Sequence, residues 1–139
     1  MVYRMVYVSA ATAPLDADAL LALLTRAREK NQRLGISGLL LYRDGDFIQL
    51  LEGEREAVRG LFHTIERDPR HTRTLVLLEG EAEQRLFPDW SMGFRNLSDP
   101  AVRATPGFSH LMNTPSWPTA FQHDPDGCLA LLALFQPPV

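Results

Sequence analysis

An α+β sandwich is the fold class that the sequence predicts, on three observations. Strand-like and helix-like periodicities follow one another in the order βαββαββ over residues 1–97. Two consecutive apolar runs are joined by a tight Asp44-Gly45 step, and each helical stretch carries a single apolar stripe that needs a sheet to pack against. With 139 residues, the chain is long enough for one domain with a substantial core and too short for two ordinary ones.

The elements follow in order. Residues 2–9 suit a strand rich in Val and Tyr, with Tyr3, Met5, Tyr7 and Ser9 on one face and Arg4, Val6 and Val8 on the other. Asp16 offers an N-cap to the helical run ADALLALLTRAREKNQRL, which Gly35 stops. ISGLLLY and DFIQLLE make a hairpin, because the Asp-Gly step tolerates the positive φ of a tight turn. After Glu54, Val58, Leu61, Phe62 and Ile65 recur at i, i+3, i+4 and i+7, and Pro69 ends this second helix. RTLVLLEGE and WSMGFRNL supply two more strands.

This order, with right-handed crossovers, is that of the ferredoxin-like sandwich with both helices on one sheet face. The first two strands are apolar on both sides, so the other face needs a cover. Residues 98–139, punctuated by Pro and Gly and containing the helical run PDGCLALLALFQ, are expected to pack there as a helical extension.

Composition excludes several functions. The net charge is -3 and no block of Lys or Arg occurs, so neither nucleic acid nor an anionic membrane surface is an expected partner. No apolar run approaches the ~20 residues of a membrane helix. A lone cysteine, Cys128, makes no intrachain disulfide, and the N-terminus lacks a signal-peptide cleavage site, so a cytoplasmic location is expected. The histidines at 63, 71, 110 and 123 are scattered, and no GxGxxG or GxxxxGK run is present. Neither a metal centre nor a hydrolytic group is expected, and Cys128 reads as core at the start of an apolar helix.

Four polar residues stand where apolar ones would pack. At ~100° per residue, Asn31 shares the core-facing stripe of the first helix with Leu20, Leu24, Ala27 and Leu34. Gln49 lies on the strand face of Phe47 and Leu51, and Tyr7 and Ser9 lie on the inner face of the first strand. An unpaired buried carboxamide costs ~1–3 kcal/mol, so each needs partners. Backbone groups would serve for any one of them. For all four in the layer between sheet and helices, a shared ligand serves better. An isoalloxazine ring, flat and apolar at one end with carbonyls, an N–H and an acceptor nitrogen along its edge, has the right shape. Arg70 offers a cationic donor to such an edge.

The segments YVS, NQRLGISGLLLY, GDFIQLLEG, IERDPRH and FPDWSMGF, in this order over residues 1–97, closely resemble the BLUF family of blue-light sensors using FAD. The resemblance implies the same sandwich, with a flavin held between the two helices. It implies a photochemical switch of Tyr7, Gln49, Ser9, Trp90 and Met92, in which Tyr7 gives up an electron and a proton under light. Gln49 then relays the proton and changes orientation or tautomer, and the flavin ends oxidised. It implies a flavin site of Asn31, Gln49, Asp68, Arg70, His71, Ile65 and Leu24. Lys30 and Ala27 depart from the Asn or His and the Ser of other members.

FAD is the expected cofactor, with FMN possible. The expected partner is a separate signalling protein, since residues 1–97 form the photosensor and no output domain is fused to it. Self-association follows from family precedent. Two other readings remain on this scaffold. One is a light-inert ligand-binding or interaction module; the other, a small enzyme of acylphosphatase type, would require an arginine in the SAATAPLD loop, which has none.

Overall fold

The computed structural model describes residues 1–13, 15–43, 45–88 and 92–96. The elements are β1 (Val2–Ala11), α1 (Ala17–Leu34), β2 (Ser37–Arg43), β3 (Asp46–Gly53), α2 (Arg55–Arg67), β4 (His71–Ala82) and β5 (Gly93–Asn96). Asp16 caps α1 by accepting the Ala19 N–H at 2.8 Å. Gly35 closes the helix in the left-handed region at φ 68, returning its own N–H to the last-turn carbonyls of Asn31 and Gln32. α2 stops at Asp68, the residue before Pro69, where αR geometry is disfavoured.

The sheet order is β4-β1-β3-β2-β5, antiparallel except where β5 runs parallel to β2. This is the ferredoxin-like α+β arrangement with a fifth strand added at the β2 edge. The register sets Tyr7 directly across from Gln49 on β3 and Ser9 across from Phe47. On its other side Gln49 faces Leu40 of β2. Because side chains alternate across a strand with period two, these residues all point to the helix side.

That side holds the core, in which Met5, Tyr7, Leu20, Leu24, Phe47, Leu51, Val58, Phe62 and Met92 pack together. The other face is equally buried at Val6, Leu39, Leu41, Ile48 and Leu50, as expected for strands apolar on both sides. Whether residues 98–139 cover it lies outside the described residues. The same face carries Glu52, a fully buried carboxylate that accepts from Arg4 Nε at 3.1 Å and from the backbone N–H groups of Leu86 and Phe87 at 2.8 and 3.2 Å. These bonds tie down the segment that leads from β4 toward β5.

Two expectations are corrected. Leu34 was placed on the buried stripe, yet it is 39% exposed, because the helix ends there and the chain turns off at Gly35. β4 begins at His71 rather than Arg73. Its pairing with β1 is interrupted twice, and at the second break Ser9 stands opposite both Arg73 and Thr74, with Arg73 at φ 52. An extra residue of this kind bends a strand and re-aims its side chains. No helix among the described residues is long and apolar enough to cross a membrane.

Gly38 lets β2 and β3 approach closely, since a Cβ there would lie 1.9 Å from the Leu50 carbonyl oxygen. Gly38→Ala is expected to lower stability by about 2–3 kcal/mol in urea unfolding. A loss below about 0.5 kcal/mol would contradict this close approach.

Candidate functional site

A cavity of about 160 Å³ opens between α1, α2 and the sheet. Leu23, Ala27, Lys30 and Asn31 line it from α1, at the spacing of one helix face, and Arg26 stands beside them. The sheet contributes Tyr7, Leu40, Phe47, Gln49 and, at the start of β4, His71; α2 and the turn after it contribute Leu61, Thr64, Ile65, Asp68 and Arg70. The walls are largely apolar, with polar groups at a few points, as small-molecule sites are.

Against the cavity floor the Tyr7 hydroxyl donates to Gln49 Oε1, and Gln49 Nε2 donates to Met92 Sδ at 3.4 Å. Tyr7 is 1% exposed and Gln49 7%. The Phe62 ring meets Tyr7 edge-on, with centroids 5.2 Å apart. Burial pushes the Tyr7 phenol far above its ordinary range, so the group is protonated throughout physiological pH. Deprotonation there must be coupled to another event.

At the mouth, Asp68 and Arg70 form a forked pair, with Nη2 to Oδ2 at 2.6 Å and Nε within 3.1 Å of both oxygens. The Arg70 hydrogen bonds hold the Asp68 carboxyl down at about 2. His71 packs on Phe47, with centroids 5.4 Å apart, and its Nδ1 lies 3.3 Å from Ser9 Oγ. Burial lowers the His71 pKa and Arg70 adds to this, while Asp68 opposes it. The ring is therefore biased toward the neutral form, able to exchange a hydrogen bond with Ser9.

The structure thus brings Tyr7, Gln49, Asn31, Ile65, Asp68, Arg70 and His71 to one cavity, with Ser9 and Met92 behind it. Leu24 is different: it is buried in the core and does not line the cavity, because one position round the helix turns it toward the sheet while Leu23 faces the opening. Trp90 lies outside the described residues. Among the described residues, no buried side-chain nitrogen or oxygen lacks a hydrogen-bond partner. The cavity itself, rather than an orphaned polar atom, is the sign of a ligand.

Sequence reasoning missed Arg26, Leu40, Leu61 and Thr64 on the walls. It also missed Arg28, whose Nε donates to the Met92 carbonyl at 2.9 Å. Leu40 and Leu61 follow from the strand and helix faces already assigned. For Arg28 no local pattern exists, since its partner is a backbone oxygen 64 residues away.

Comparison with known proteins adds three findings. A family model described as sensors of blue-light using FAD matches residues 2–93. The chain is 38% identical over 91 residues to the photoactivated adenylate cyclase subunit alpha of Euglena gracilis, an alignment covering 64% of this chain and 9% of that protein. It therefore spans only about a tenth of the curated relatives it matches. Among solved structures, BlrB, a BLUF protein in its dark state, superposes with a TM-score of 0.72 at 29% identity, covering 92% of this chain and 96% of that one. A bacterial light-regulated adenylyl cyclase superposes with a TM-score of 0.70 at 33% identity, covering 94% of this chain and 36% of that one.

The electrostatics of the mouth give a signed expectation. Since the folded Asp68 carboxyl titrates at about 2 rather than 3.8, it stabilises the fold above 3.8 and loses that effect as pH falls toward 2. The pair is partly solvent-exposed, so the effect is small. Wild type is expected to melt above Asp68→Asn at neutral pH, with the gap closing over this acid window in calorimetry. A gap that is constant with pH would remove the pairing.

Proposed function

The chain belongs to the BLUF family of blue-light sensors using FAD, and we propose from that premise that it is a blue-light photoreceptor switched by Tyr7 and Gln49. The observation that carries this reading is the buried chain of hydrogen bonds from Tyr7 through Gln49 to Met92, lying along the wall of a cavity.

The cavity residues suit a flavin ring. Leu23, Phe47, Leu61 and Ile65 offer apolar walls to its benzenoid end, while Asn31 and Gln49 present amides and Arg70 a guanidinium to its carbonyl edge. Arg26 and Lys30 add two cations at the mouth, where Arg70 is balanced by Asp68. A net positive mouth favours a flavin carrying phosphate. FAD is the proposed cofactor, and FMN meets the same groups.

When bound, a flavin supplies absorption of blue light and an excited state that withdraws an electron from its surroundings. Tyr7 is the nearby donor. As a neutral buried phenol it holds its proton tightly, but loss of an electron makes it strongly acidic, and Gln49 Oε1 already accepts from that hydroxyl. Gln49 would take that proton at Oε1, leaving its Nε2 hydrogens available to a group bound in the cavity. Once the electron returns to Tyr7, Gln49 would give the proton back, and an amide that has rotated in between would be left with donor and acceptor ends exchanged. Nothing else about its shape changes.

Met92 reads this exchange because a thioether accepts a hydrogen bond and cannot donate one. With Nε2 facing Sδ the contact is favourable; with an oxygen there it is not. Displacement of the Met92 side chain would change the packing beside β5 at the sheet edge, and the signal passes to a separate partner protein, with self-association of the photoreceptor a further proposal. Because Tyr7, Gln49 and Met92 already bond to one another, one competing reading is a light-inert module on the same scaffold.

Absorption spectra decide between them. Purified wild type is expected to be yellow and to show a small reversible red shift of the flavin band under blue light, which Tyr7→Phe or Gln49→Leu abolishes. A colourless protein, or variants that shift normally, would overturn the assignment.

A further inference from the structure

We infer that Arg28 is a positioning residue that fastens the start of β5 to α1 and thereby holds Met92 against Gln49. Arg28 sits on the outer part of α1, yet its Nε reaches across to the Met92 carbonyl oxygen at 2.9 Å. Met92 is 2% exposed and is held at two points, its sulfur by Gln49 and its backbone by Arg28.

The place matters as much as the bond. Pairing of β5 with β2 begins at Gly93 opposite Leu39, so Met92 precedes the ladder. Among the described residues, β5 is four residues long and ends the sheet order, with one neighbouring strand. Such a strand is weakly held by its own hydrogen bonds. The Arg28 guanidinium therefore supplies a fixed point where the sheet does not. A hydrogen bond from a charged donor is stronger than a neutral one.

The consequence for switching rests on the photoreceptor reading given above. When Gln49 exchanges its ends, the tether on sulfur is lost while the tether on the carbonyl remains. The Met92 side chain then swings about an anchored backbone rather than carrying the strand away, and it returns from a short distance. Without Arg28, the Gln49 contact and core packing of the side chain would hold Met92, with the start of β5 no longer fastened to α1.

The test is oxidation of the flavin-loaded protein in the dark by dilute hydrogen peroxide, with Met92 sulfoxide followed by peptide mass spectrometry and Met5, equally buried at 2% exposure, as internal control. Arg28→Ala is expected to oxidise at Met92 about tenfold faster than wild type, as loss of one charged hydrogen bond implies. Met5 stays protected, and Arg28→Lys, which keeps a cationic donor, recovers part of the protection. The same Arg28→Ala protein is expected to return more slowly from the illuminated spectrum. Unchanged Met92 oxidation, or an equal rise at Met5, would overturn the clamp. Should Arg28→Ala fail to fold, Arg28→Gln, with a neutral donor, must still show a rise at Met92. A wild type with no spectral response would sink the photoreceptor reading while leaving the dark oxidation comparison intact; a normal response with unchanged oxidation would sink the clamp alone.

Discussion

The register between β1 and β3 is the constraint on which the site depends. A slip of one residue would turn Tyr7 and Gln49 onto opposite faces of the sheet and end their hydrogen bond. Burial of both strand faces fixes that register, since apolar side chains on each side resist any shift. The amide sits opposite the phenol for reasons of packing, before any chemistry is asked of the pair. Rigid strands thus position the reactive groups, while the groups at the mouth lie on helix ends and turns.

The two sheet faces divide the work. The helix face carries the cavity, the Tyr7–Gln49–Met92 chain and the aromatic packing around it. On the far face, Glu52 gathers Arg4 and the backbone of Leu86 and Phe87, and Arg85 reaches the Ser37 hydroxyl and the Gly35 carbonyl. The segment between β4 and β5 is therefore pinned at its beginning by a buried carboxylate and at its end by Arg28. Removing one partner of a buried ionic cluster is costlier than the net worth of the cluster itself, so Glu52 is a firm anchor without being a large source of stability.

Much of this was legible in the sequence because it is local. Asp16, Gly35 and Pro69 mark helix ends through their own backbone chemistry, and strand alternation alone placed Tyr7 and Gln49 on the inner face. The resemblance over five segments then implied their roles. What escaped was non-local or fine-grained. Leu24 and Leu23 differ by a single helical step, and periodicity with an angular tolerance does not separate them. Leu34 obeys the stripe but falls where the helix ends. Glu52 looks like any charged residue near a strand end, and its burial depends on amides more than 30 residues away. The break at Arg73, a residue with no propensity for positive φ, follows from the mismatch of two strands rather than from either one.

Under the photoreceptor reading proposed above, the depth at which Tyr7 is buried has a consequence for the detector's physiology. Its trigger is insulated from the acid–base state of the surrounding fluid, because neither alkalinity nor acidity within living limits strips or adds a proton at the phenol. The ionisable groups line the cavity instead, His71 partly buried and the Asp68–Arg70 fork partly exposed. Shifts in the chemistry of the surrounding solution would reach how a bound chromophore is gripped, and leave the primary quantum event as it is.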